Sequence, residues 1–185
     1  MTAIPRYFGE CGFDTIQMKL LTGRVSRIRL PERKRMPNIL DRKSTDQKSM
    51  IEYLNLMLTQ EHACAIRYAT HAAVVAGPYA ESVRARLKEI SDDEWNHASI
   101  LRDRIIALGG KPSMGLNKED LKYETSLEKI LQVNINEEKR AIQDYAGILK
   151  QVSPGNSILF LAIQDIIRDE QEHLEELEAL KETQQ

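Results

Sequence analysis

The chain has 185 residues, a mass of 21.2 kDa, 42% hydrophobic residues and a formal net charge of −2 at pH 7, a size that suits one domain with its own core. Two cysteines, Cys11 and Cys64, exclude a disulfide framework and any cysteine-rich zinc or iron–sulfur site. No apolar run reaches membrane-spanning length, and the opening MTAIPRYFGECG lacks the charged-then-apolar order of a secretion signal. A cytoplasmic location with no membrane partner is therefore expected. Glu, Lys, Leu, Ile, Ala, Arg and Gln are abundant, and no segment shows sustained period-two alternation, so the fold class expected is all-α.

Residues 1–45 carry ten Lys or Arg against four Asp or Glu and form a basic N-terminal extension. Its cluster from Arg24 to Lys43 suits either nucleic acid or an acidic surface of the protein's own assembly; the absence of interleaved aromatics favours the second. From residue 46 to 185 the pattern is that of four long helices. The first runs from about Asp46 to Ala76, with Met50, Leu54, Met57, Glu61, Ala65, Tyr68, Ala72 and Val75 in steps of three and four. Gly77-Pro78 ends it. The second carries Val83, Leu87, Ile90, Glu94, His97, Leu101, Ile105 and Leu108 and closes at Gly109-Gly110.

Residues 111–125, KPSMGLNKEDLKYET, read as a connection long enough to run the length of a bundle. The third helix begins near Ser126, with Leu127, Leu131, Asn134, Glu138, Ala141, Tyr145, Ile148 and Val152 inward, and breaks at Ser153-Pro154-Gly155. The fourth places Leu159, Ile163, Ile166, Glu170, His173, Leu177 and Leu180 on its stripe. The first two helices and the last two thus make similar hairpins. Glu61 to Glu94 spans 33 residues and Glu138 to Glu170 spans 32, and Tyr68 and Tyr145 each stand seven residues after the first Glu of their half.

The chemistry lies in the tetrads Glu94 to His97, within DEWNH, and Glu170 to His173, within DEQEH. Residues three apart share a helix face, so each tetrad presents a carboxylate and an imidazole together. An isolated tetrad of this kind usually belongs to a solvated face. Here both fall on apolar stripes, with Glu61 and Glu138 on the other two helices. Four carboxylates in a core need compensating cations or protons, and two divalent ions balance them. The mixed oxygen and imidazole donors suit iron or manganese, with zinc a substitute. Glu94 and Glu170 are expected to bridge, Glu61 and His97 to complete one site and Glu138 and His173 the other. Tyr68 and Tyr145 are the candidate catalytic residues, as hydrogen-bond donors or electron sources.

Glu137 would restore a spacing of 33, but the stripe selects Glu138 and turns Glu137 about 100° aside, toward solvent or a neighbouring subunit. His62 and His71 are expected at the surface or an interface. Asp144 and Asp165 read as exposed helix acids, Trp95 as packed at an interface or against the connection, and Cys64 as a buried thiol.

On these residues the chain resembles the ferritin-like superfamily, in particular its bacterioferritin, Dps-like and rubrerythrin-type branches, over about Asp46 to Lys181. The order Glu61, EWNH at Glu94–His97, Glu138 and EQEH at Glu170–His173 is similar to their di-iron ligand set. The resemblance implies an antiparallel four-helix bundle with a long crossover between the second and third helices. It also implies two iron ions per chain, oxidation of ferrous iron by dioxygen or hydrogen peroxide, and a homo-oligomer, a dimer or larger. Bacterioferritin ligates haem through a Met after the bridging Glu; Trp95 stands there, so no haem is expected. No fifth helix and no four-cysteine rubredoxin module are read from the sequence, so neither a large cage nor an attached electron relay is expected. Two rival functions are a DNA-protecting binding protein acting through the basic extension and a metal-free structural bundle with protonated core carboxyls.

Overall fold

A computed structural model describes residues 43–78 and 80–182. The basic residues 1–42, Cys11 among them, lie outside it, and with them the expected nucleic-acid contact. Among the described residues four helices form: α1 (Lys43–Val74), α2 (Ala80–Ala107), α3 (Leu127–Leu149) and α4 (Ser157–Glu182), with a short 3-10 turn at Lys118–Asp120. The first starts three residues earlier than its stripe implies, and Ser126 serves as the N-cap of α3.

The helix ends follow local chemistry. Gly109 takes φ +74°, and Gly109 and Gly110 N–H donate to the Ile106 and Ile105 carbonyls, a turn that a side chain would strain. A Cβ on Gly110 would lie 2.7 Å from Ile51 Cγ2, so this turn also lets α1 approach closely. At the other end of the hairpin Arg84 donates to the Ala72 and Val75 carbonyls, satisfying the open end of α1. Asn156 caps α4 through Leu159 N–H.

The four stripes meet in a core split into two apolar clusters. One joins Leu54 and Leu58 of α1, Leu101 of α2, Tyr145 of α3 and Ile163 of α4. The other joins Ala72, Leu87, Leu131 and Leu177. In every helix the Glu or Glu-x-x-His falls between the residues of one cluster and those of the other, which places all of them in one layer at mid-bundle. The first cluster takes the leading halves of α1 and α4 and the trailing halves of α2 and α3. Thus α1 and α4 run one way, α2 and α3 the other, and the link from α2 to α3 must travel the length of the bundle. This is the ferritin-like antiparallel four-helix bundle with a long crossover.

The crossover is strapped to α1. Asn55 accepts from Ser113 N–H and donates to the Lys111 carbonyl, the Thr59 carbonyl accepts from Asn117 N–H, and His62 Nδ1 donates to Gly115 at 2.6 Å. Further along, Arg67 donates to the Asp120 carbonyl and His71 Nε2 to that of Lys122. His62 and His71, expected at the surface or an interface, are therefore buried in the monomer. Their own stripe gave no sign of this, because the crossover supplies the cover. Trp95 is 45% exposed, with its ring 5.7 Å from that of His62. Asp144 and Asp165 are exposed as expected. Among the described residues no helix is long and apolar enough to cross a membrane.

Candidate metal centre

All six residues singled out by the stripes, Glu61, Glu94, His97, Glu138, Glu170 and His173, are buried in the middle layer. They form two overlapping groups, Glu61–Glu94–His97–Glu170 and Glu94–Glu138–Glu170–His173, in each of which one ligand atom per residue lies within 4.8 Å of the others. Glu94 and Glu170 belong to both. Each imidazole turns Nδ1 toward the shared carboxylates: His97 Nδ1 is 3.2 Å from Glu94 and 3.3 Å from Glu170, and His173 Nδ1 is 3.4 Å from Glu170. The ring centroids are 6.0 Å apart.

Donors around the cluster are exchanged between the two hairpins. Tyr68 of the first hairpin donates to Glu138 of the second, and Tyr145 donates back to Glu61. His97 Nε2 lies 3.4 Å from Asp169, and His173 Nε2 lies 3.3 Å from Asp93. The aspartates are site residues that the stripes do not pick out, since they sit beside the face rather than on it. Their signal was the acid preceding each tetrad, in DEWNH and DEQEH. With Nε2 facing an aspartate, each imidazole turns Nδ1 to the shared carboxylates.

The electrostatics are those of a charge cluster awaiting compensation. Burial, followed by the charges of Glu94 and Glu170, pushes the Glu61 carboxyl well above the usual range; burial with the same two charges does so for Glu138. Burial also opposes ionisation of Glu170, yet the adjacent His173 and His97 imidazoles outweigh it and hold that carboxyl low. Burial disfavours both imidazolium ions, but the carboxylates overcome it and raise His97 strongly and His173 as well. Burial raises the Tyr68 and Tyr145 hydroxyls, so both remain protonated donors.

Glu170 Oε2 and His173 Nδ1 are buried and make no hydrogen bond. A carboxylate oxygen and an imidazole nitrogen that face each other at 3.4 Å without a hydrogen bond are groups that a divalent cation satisfies. The donor set therefore fits a pair of metal ions.

Two nearby residues depart from their sequence reading. Glu137 does not face solvent or a neighbour: it is 6% exposed and pairs with Lys122 of the crossover and with Arg140. The helix wheel was right about its angle, but the crossover covers that side. Cys64 is partly buried, its Sγ accepting from Arg67 at 2.9 Å and lying 3.4 Å from Glu94 Oε1. Burial raises its thiol, against the pull of Arg67.

Fold and site together define a helical protein with a buried carboxylate and histidine centre of the di-iron-carboxylate kind. The ferritin-like domain model matches residues 51–185, and the chain belongs to that family. It is similar to a ferritin-like, diiron-carboxylate protein from Bacillus anthracis str. Ames at 31% identity, with a TM-score of 0.70, covering 75% of this chain and 99% of that one. A bacterioferritin-related protein from Bacteroides fragilis, described as a dodecameric thioferritin, is similar at 26% identity with a TM-score of 0.66, covering 72% and 84%. The bacterioferritin of Desulfovibrio desulfuricans, at 24% identity and a TM-score of 0.66 over 75% and 81%, shares the fold. No curated protein matches the sequence.

Proposed function

We propose that this protein binds two ferrous ions per chain in the mid-bundle layer and oxidises them with dioxygen or hydrogen peroxide. The observation that carries this reading is the pair of four-residue groups that share Glu94 and Glu170 and leave Glu170 Oε2 and His173 Nδ1 unsatisfied. Glu61 and His97 would complete one site and Glu138 and His173 the other, while Glu94 and Glu170 bridge. Two divalent ions balance four carboxylates, which offsets the burial and the mutual repulsion that push the Glu61 and Glu138 carboxyls up. Manganese or zinc would fit the same donors.

The chain's own residues prepare the site. Asp93 and Asp169 fix the imidazoles with Nδ1 inward, and the Tyr68 and Tyr145 hydroxyls hold the outer carboxylates in place. The apolar clusters above and below exclude water. Oxidation would remove one electron from each ferrous ion; hydrogen peroxide taking both electrons and two protons would leave as two water molecules, and dioxygen taking the same would leave as hydrogen peroxide. Tyr68 and Tyr145, hydrogen-bonded to Glu138 and Glu61, are placed to supply one further electron and proton each, which reduction of dioxygen fully to water would require. The dodecameric state stated for the Bacteroides fragilis relative supports a homo-oligomer, and exposed Tyr53, Leu56, Ile158 and Leu161 are apolar surface of the kind an assembly covers.

The test is metal analysis and anaerobic ferrous titration of the purified protein beside Glu94→Ala and Glu170→Ala. Two ions per chain in the wild type, lost in both variants and oxidised rapidly on adding oxygen or peroxide, is the expected result. Absence of specific binding would leave the bundle as a scaffold.

A further inference from the structure

Two buried acids remain outside the ligand set. Asp120, in the 3-10 turn of the crossover, is 1% exposed, and its Oδ2 has no partner. Glu137 of α3 is buried next to it. Arg140 Nη2 joins the two, 2.6 Å from Asp120 Oδ1 and 2.7 Å from Glu137 Oε2, and Lys122 pairs with the other Glu137 oxygen.

These acids line a narrow cavity of about 20 Å³ that Glu61 and Glu170 of the proposed metal centre also line. That volume holds about one water molecule, so the cavity has room for a single small species between the two acid pairs, beside the buried Arg67. The acids are buried while the Arg140 side chain is 41% exposed. The position between the carboxylates is thus already occupied by a cation, and by one whose long side chain can rotate into solvent. A divalent ion in its place would gain Asp120 Oδ2, which Arg140 leaves without a partner.

We propose that Asp120 and Glu137 form a transit site for the divalent cation, from which it passes to Glu61 and Glu170, with Arg140 as an exchangeable latch. This rests on the reading of the mid-bundle layer as a metal centre. The Arg140 guanidinium holds the passage closed in the metal-free chain; an arriving ion displaces it, and the ion's onward movement restores it. Asp120 and Glu137 speed loading without belonging to the final ligand set.

The experiment is stopped-flow loading with Co2+ under anaerobic conditions, reading the absorbance of the bound ion, for the wild type, Asp120→Asn, Glu137→Gln and Arg140→Gln. Asp120→Asn and Glu137→Gln should each load about tenfold more slowly, the lower end of what a focused negative charge contributes to an association rate, and reach the same final count. Arg140→Gln should load faster than the wild type. Wild-type rates in both acid variants would overturn the proposal. So would slowing by Arg140→Gln equal to theirs, since that would mean the trio only anchors the crossover. Circular dichroism and thermal melts of each variant separate slow loading from a failure to fold, and Arg140→Gln leaves both acids in place. Wild-type protein that takes up no Co2+ would overturn the metal centre and this proposal together; normal uptake with unchanged variant rates would overturn this proposal alone.

Discussion

The exchange of aspartates between hairpins makes a prediction that ordinary mutagenesis can resolve site by site. Asp169 directly precedes the tetrad of the second hairpin yet faces His97 of the first, and Asp93 faces His173. Replacing an outer partner of a metal-binding imidazole typically costs 10- to 100-fold in affinity. Here the contacts are long, at 3.4 and 3.3 Å, and the Asp169 and Asp93 side chains are 33% and 50% exposed, so water competes for the imidazole N–H. We therefore expect about tenfold, or about 1.4 kcal/mol, for Asp93→Ala or Asp169→Ala. A Glu61→Ala background disables the site that His97 completes and leaves Glu94, Glu138, Glu170 and His173 intact. In that background Asp93→Ala should still weaken the remaining site about tenfold, and Asp169→Ala should have little effect. Glu138→Ala should reverse the pattern. The assay is anaerobic calorimetric titration with ferrous ion or Mn2+ across this double-mutant set. Equal weakening of the residual site by both aspartate variants would refute the cross-pairing, because it would mean that the acids act only through their general negative charge.

In chelated protein Glu61, Glu138 and His97 all have folded-state pKa values above their ordinary values of 4.5 and 6.5, so each contributes stability below that value and loses it as pH rises through the folded one. The melting temperature of chelated protein should therefore fall between about pH 5 and pH 8, and metal should flatten the curve; a rise with pH would contradict the charge assignment. Tyr68→Phe and Tyr145→Phe each remove a hydrogen bond to a buried carboxylate, which should cost about 1.5–3 kcal/mol in metal-loaded protein. The two losses should be similar in thermal melts, and a cost under about 0.5 kcal/mol for either would show that its hydroxyl is not held as described. Arg67→Met removes donors from Asn134 Oδ1 at 2.9 Å and the Asp120 carbonyl at 3.1 Å. Leaving two buried acceptors unpaired should cost about 2–5 kcal/mol, and hydrogen exchange should accelerate in residues 111–125; unchanged protection there would refute the strap.

The sequence by itself determined the four helices, their inward faces and the six residues of the middle layer. A helix repeats every 3.6 residues whatever it packs against, so a polar residue on an apolar stripe declares that it is buried. The near-equal spacing in the two halves, 33 and 32 residues, with Tyr68 and Tyr145 in matching places, also set out the pairing of hairpins. Only the tertiary structure decided which partners those residues take. Tyr68 and Tyr145 bond across to the opposite hairpin, as do Asp93 and Asp169, and no local spacing encodes a contact between helices that are far apart in sequence. The structure alone also revealed that residues 111–125 lie along α1 and α3, burying His62, His71 and Glu137, which their helix angles assign to the outside. An aperiodic connection carries no stripe from which its path can be read. Its position is fixed by long-range hydrogen bonds to Asn55, His62, Arg67 and His71 of α1, partners 51 to 56 residues away in sequence.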